Sequence, residues 1–133
     1  MNKSAHLILR PKGKALLKVI CDEIHAGRTQ KRKPETFLSY SGALHLLGDP
    51  EDGPTYTEGA RLQYHGLTEL NEWSMATPGI PKVTGLIVNM DSHQPSKGYV
   101  ESNGHTYQNM QWIDWWMNET DKAIDFDWSP HLK

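Results

Sequence analysis

A chain of 133 residues, 37% apolar and 23% charged, is long enough to bury a core and too apolar to stay disordered. No apolar run approaches the ~20 residues of a membrane helix, and Leu7-Ile8-Leu9 is too short for the ~7–15-residue core of a signal peptide, so a cytoplasmic protein with no membrane partner is expected. The formal charge of −2 hides an asymmetry: residues 1–33 carry nine bases against two acids, and residues 34–133 carry five bases against fourteen acids, a split that suits a phosphate-facing end.

Pro11 to Ala26 reads as the first helix, with Leu16, Val19, Ile20 and Ile24 at helical spacing and Gly27 as its stop. Cys21 is the chain's one cysteine; its apolar helical setting argues for a buried small hydrophobe. The basic run Arg28 to Lys33, closed by Pro34, reads as a surface loop. Thr36 to Tyr40 looks extended. Ser39 or Ser41 then caps a short helix that runs through Leu47 and ends at Gly48, with Ala43, Leu44 and Leu47 toward the core. The turn-rich loop Asp49 to Pro54 holds oxygen ligands but lacks the alternating spacing of a calcium loop.

A third helix is expected from Thr57 to about Met75, bent at Gly66 and stopped at Thr77-Pro78-Gly79-Ile80-Pro81. Val83 to Asn89 is apolar and β-branched, as a core strand should be. Met90 to Gly98 then reads as a hairpin tip, and Tyr99 to Glu101 as the return strand. The last helix is expected from Thr106 or Asn109 to Ile124. Met110, Ile113, Met117, Thr120 and Ile124 form its stripe, Trp116 flanks it, and Trp115 points nearly opposite. Trp115 is then either a contact surface or covered by the tail Phe126 to Pro130. Together these give a mostly helical, winged-helix-like α+β domain spanning 1–133, with about four helices and a two-stranded antiparallel ribbon. Its parts are a basic helix and loop (1–33), a winged-helix-like core (36–102) and a Trp-rich C-terminal helix (106–124).

Ser39-Tyr40-Ser41-Gly42-Ala43-Leu44-His45-Leu46-Leu47-Gly48 resembles the segment that opens the helix-turn-helix of alkylguanine-DNA alkyltransferases and alkyltransferase-like proteins. Gly59-Ala60-Arg61-Leu62-Gln63-Tyr64-His65-Gly66-Leu67 is similar to their recognition-helix pattern, and Ile80-Pro81 through Gly98-Tyr99 to the strand and return beyond it. The strand Val83 to Met90 also resembles that of a group of small bacterial proteins. About 60 residues take part. The resemblance implies a winged-helix scaffold and a base-stack-probing role for Arg61. Where the alkyltransferases carry Pro-Cys-His-Arg, this chain has roughly Gly85 to Val88, so the nucleophile is missing and alkyl transfer is not expected.

The leading expectation is a non-enzymatic nucleic-acid-binding protein, with double-stranded DNA as partner. Arg61, Gln63, Tyr64 and His65 would read the groove, while Lys97 on the wing and Arg28, Lys31, Arg32 and Lys33 in the loop would touch phosphate. A protein-interaction adaptor or homodimer using Trp115 and Trp112 is the alternative. A metal-dependent nuclease built on Asp91, His93 and His105 is a third. None of the seven histidines falls in a metal-binding signature, no dinucleotide or Walker glycine pattern occurs, and neither metal nor cofactor is expected.

Overall fold

The structure, a computed structural model, describes residues 8–48 and 61–132. The acidic loop at 49–54 and the start of the third helix at Thr57 lie outside the described residues. Five α-helices are described: α1 (Pro11–His25), α2 (Tyr40–Leu46), α3 (Thr68–Ala76), α4 (Lys97–Ser102) and α5 (Trp112–Asp125). Two short strands, β1 (Leu38–Ser39) and β2 (Ile87–Val88), complete a mostly helical α+β arrangement. One apolar cluster holds these elements together, with Leu16, Leu17 and Ile20 of α1, Leu70 of α3, Ile87 and Val88 of β2, and Trp112 and Trp116 of α5.

The ends of the first two helices follow their sequence signals. Gly27 turns left-handed at φ +78°, its N–H donates to Ile24 O and that of Arg28 to Glu23 O, closing a paired C-terminal cap on α1. Ser39 Oγ accepts from Gly42 N at 3.0 Å and opens α2, and Gly48 at φ +79° closes it. The expected bend at Gly66 is present: Gln63–Leu67 forms a π-turn with Gly66 at φ +117° before α3 begins.

The antiparallel ribbon is corrected. β2 pairs with β1, and the pairing is parallel, with Leu38 opposite Ile87 and Ser39 opposite Val88. Val83–Leu86 is a 3₁₀ turn, so only Ile87 and Val88 of the expected strand are extended. The expected return strand is instead α4. Ser96 Oγ accepts from Tyr99 N at 3.2 Å, and that N-cap directs the chain into a helix. The wing is thereby replaced by a loop and a helix.

The last helix begins at Trp112, later than expected, because Met110 is left-handed at φ +63° and breaks the approach. The buried stripe is also shifted by about one residue from the expected one. Trp112, Trp116, Thr120 and Ala123 are buried, whereas Met110 is exposed and Ile113, Met117 and Ile124 flank the stripe. The tail does fold back, but onto the far end of α5 and onto α3. Trp128 Nε1 donates to Ala123 O at 2.8 Å, and its ring lies 6.4 Å from that of Trp73.

Cys21 is buried as expected, and burial pushes its thiol up to about 12 from an ordinary 9.0. The group is uncharged where the protein is stable, so deprotonation is what folding opposes. Its contribution is therefore complete below about pH 9 and is lost as pH rises toward the folded value. Burial, with the Glu119 charge second, raises the Tyr99 hydroxyl in the same sense. The expected results are a thiol that resists aromatic disulfide reagents at pH 8 until denaturant unfolds the chain, and a urea midpoint that falls between pH 8 and pH 10. Rapid labelling of the folded protein would contradict this.

Candidate nucleic-acid interface

Close approach of two backbones builds the site. The π-turn crosses the first turn of α1, where a Cβ on Gly66 would lie 2.6 Å from the Lys12 carbonyl carbon and 3.0 Å from Gly13 N. Helix α1 opens on Arg10 with no side-chain cap. Its Gly13 N–H donates instead across the crossing to Glu69 Oε2 at 3.1 Å. The carboxylate thus satisfies an orphan helix donor and sits at the positive end of the α1 dipole. Glu69 is in this way engaged by protein.

The crossing sets Lys12 over Tyr64, with Nζ 3.7 Å from the ring centroid. Such cation–π contacts contribute on the order of 0.5–1 kcal/mol at exposed sites. Tyr64 remains 70% exposed, and His65 meets it edge-on at 5.2 Å between centroids. Gln63, beside Tyr64, is also exposed and lines a cavity of about 300 Å³. Tyr40, Asn71, Glu72, Ser96 and Gly98 line the same cavity, which therefore separates the π-turn from the start of α4. Exposed Lys97 lies between two of these lining residues. The cavity wall is largely self-satisfied: Thr84 Oγ1 donates to Asn71 Oδ1 at 3.0 Å, and Asn71 Nδ2 to Ser102 Oγ at 3.4 Å. The Tyr40 hydroxyl is raised by burial, an effect opposed by its hydrogen bonds to Ser96. The result is a surface with Lys12 over Tyr64 and Gln63 beside them at the cavity, with Lys97 exposed on the segment that carries the lining residues Ser96 and Gly98.

The structure brings together only part of the expected set. Gln63, Tyr64 and His65 share the π-turn and half-buried Arg61 lies two residues before it, whereas Lys97 is exposed and does not itself line the cavity, although its neighbours Ser96 and Gly98 do. The basic loop is elsewhere, at the opposite end of α1, which at ~1.5 Å per residue is about 22 Å long. Its charges are largely occupied. Arg28 pairs with Glu23 at 2.6 Å, Lys31 with Asp125, and Arg32 with Asp121 at 3.0 Å and Asn118 at 3.0 Å. Lys33 is exposed and has no ion pair among the described residues. The charge asymmetry of the sequence is here an attraction between the loop and α5.

Lys12 was not singled out by sequence. The available signal was Gly13 and Gly66, two small residues that permit two helical segments to touch, but nothing in one chain says that they touch each other. Trp112 is fully buried, its Nε1 donating to Tyr107 O at 2.9 Å, and so presents no surface. Trp115 is half-buried; its cover is not the tail but His105 at 4.4 Å and Tyr99 at 5.6 Å between ring centroids. No cluster of three or more metal-ligating side chains occurs among the described residues, and His105 is stacked on Trp115. No described helix is long and apolar enough to cross a membrane. Compared with known proteins, the chain matches no family model, no curated protein and no solved structure.

Proposed function

We propose that this is a non-enzymatic nucleic-acid-binding protein and that the surface carrying Lys12, Tyr64, Gln63 and Lys97 is its contact face. One observation carries the reading: the Lys12 ammonium lies 3.7 Å from the centroid of an exposed tyrosine ring on the helical segment that the sequence marks as the reader. A cation beside an exposed aromatic and an amide is the side-chain chemistry that pairs phosphate with base contacts. Glu69 is held by Gly13 N–H at the start of α1, so its carboxylate is tied to the crossing. The resemblance to the alkyltransferase recognition segment covers Gln63 and Tyr64 of this face. The adaptor reading has less support, because Trp112 and Trp115 are occupied within the fold.

Fluorescence anisotropy with generic oligonucleotides tests the proposal. At low salt the protein binds, and affinity falls linearly with the logarithm of salt concentration as counterions are released. Lys12→Glu weakens binding about tenfold and reduces the salt slope by about 1, as expected for one phosphate contact. Reversing Lys31 changes little, because Asp125 already occupies it. Absence of binding to any oligonucleotide at micromolar protein, or a larger loss at Lys31 than at Lys12, refutes the reading.

A further inference from the structure

Resting on the nucleic-acid reading above, the geometry points to unpaired, single-stranded nucleic acid rather than duplex as the ligand, with Tyr64 as the platform on which a base stacks. Two features argue against duplex. A helix that reads the major groove lays a continuous face of base-contacting residues along it. Here the reading residues lie in a π-turn that ends in a left-handed break, with His65 at ψ +20° and Gly66 at φ +117°. The antiparallel wing that would flank a duplex is replaced by a loop and α4.

Two features argue for single strand. Tyr64 is the most exposed of the described tyrosine, tryptophan and phenylalanine residues, at 70%, with Lys12 over its ring and His65 edge-on to it. A base can use that area only if it is unpaired and unstacked from its neighbours. Beside the ring, Gln63 offers an amide at the mouth of the cavity, and Lys12 supplies a cation next to the ring that a phosphate can engage. Alternation of cation, aromatic and polar side chains is the pattern by which proteins hold a strand without reading its sequence.

The experiment compares a labelled thymidine oligomer, longer than the ~4–16 nucleotides of typical single-strand sites, with a duplex of equal length at one low salt concentration. Wild type, Tyr64→Ala and Tyr64→Phe are titrated, with circular dichroism confirming the fold of each. Tighter binding of the single strand is expected. Loss of one base stack weakens it by about 5-fold to 150-fold in Tyr64→Ala, and Tyr64→Phe restores it. Duplex binding equal to or tighter than single-strand binding overturns the inference while leaving the nucleic-acid reading intact. So does a Tyr64→Ala variant that is unaffected or that loses both ligands equally. No binding of either form removes the parent reading and this inference with it.

Discussion

Gly66→Ala is expected to destabilise the protein by more than about 3 kcal/mol, a large part of the roughly 5–15 kcal/mol that holds a domain folded. Two costs act together. At φ +117° an L side chain is strained, which costs about 1–3 kcal/mol. The added Cβ would also stand 2.6 Å from the Lys12 carbonyl carbon and 3.0 Å from Gly13 N. These are backbone atoms, which no rotamer change can move aside, so α1 itself must shift. Gly79→Ala is the internal control. Gly79 has φ +82° but nothing within 4 Å of a Cβ, so that substitution carries the dihedral strain alone. Urea unfolding of both variants isolates the close approach as the difference between them, and equal losses would mean that the crossing of α1 and the π-turn is looser than described. Folded Gly66→Ala also loses oligonucleotide affinity, because a shifted α1 carries Lys12 away from Tyr64. Gly79→Ala keeps it.

That crossing also marks where single-sequence reasoning succeeds and where it stops. Local signals survive folding. Gly27 and Gly48 terminate helices because the chain needs a left-handed residue there, and Ser39 caps α2 through its own hydroxyl. The bend at Gly66 follows from the same permissiveness. Failures occur where a nearby competitor outweighs pattern. Tyr99-Val100-Glu101 has strand-like composition, but Ser96 three residues before Tyr99 offers an N-cap, and the segment folds as a helix. Without a return strand beside it, the edge of β2 pairs with β1, a partner nearly fifty residues earlier in the chain. Long-range charge was equally illegible. The sequence displays a basic first quarter, but only the folded chain separates Lys12, beside Tyr64, from Lys31 and Arg32, which face α5. The candidate site was half-visible for that reason: its reading residues share one segment, and its cation comes from another helix.

Trp116→Ala carries the second large effect, a loss of about 3–5 kcal/mol for truncating a buried aromatic. The side chain does more than fill volume. Its Nε1 donates to Gly85 O at 2.8 Å within the core, and its ring meets Phe37 edge-on at 5.9 Å between centroids. Removing it orphans a buried carbonyl, which adds about 1–3 kcal/mol if water does not enter the hole. Gly85 is in turn held closely: a Cβ there would come within 2.5 Å of the Tyr99 hydroxyl and 3.1 Å of the Trp116 ring. The 3₁₀ turn, α4 and α5 therefore meet at one glycine, with Tyr99 also donating to Lys82 O at 3.1 Å. Trp116→Phe separates the contributions. It keeps most of the ring packing, loses the hydrogen bond, and is expected to cost less than the alanine variant by the share due to volume. Equal losses would assign the whole effect to the Gly85 carbonyl; a neutral phenylalanine variant would show the bond to be dispensable. Trp116 neither lines the cavity nor touches Lys12 or Tyr64, so the folded fraction of either variant should keep the Lys12–Tyr64 contact and most of the oligonucleotide affinity that depends on it. Measured side by side with Gly66→Ala, that contrast tells a loss of fold from a loss of the contact face.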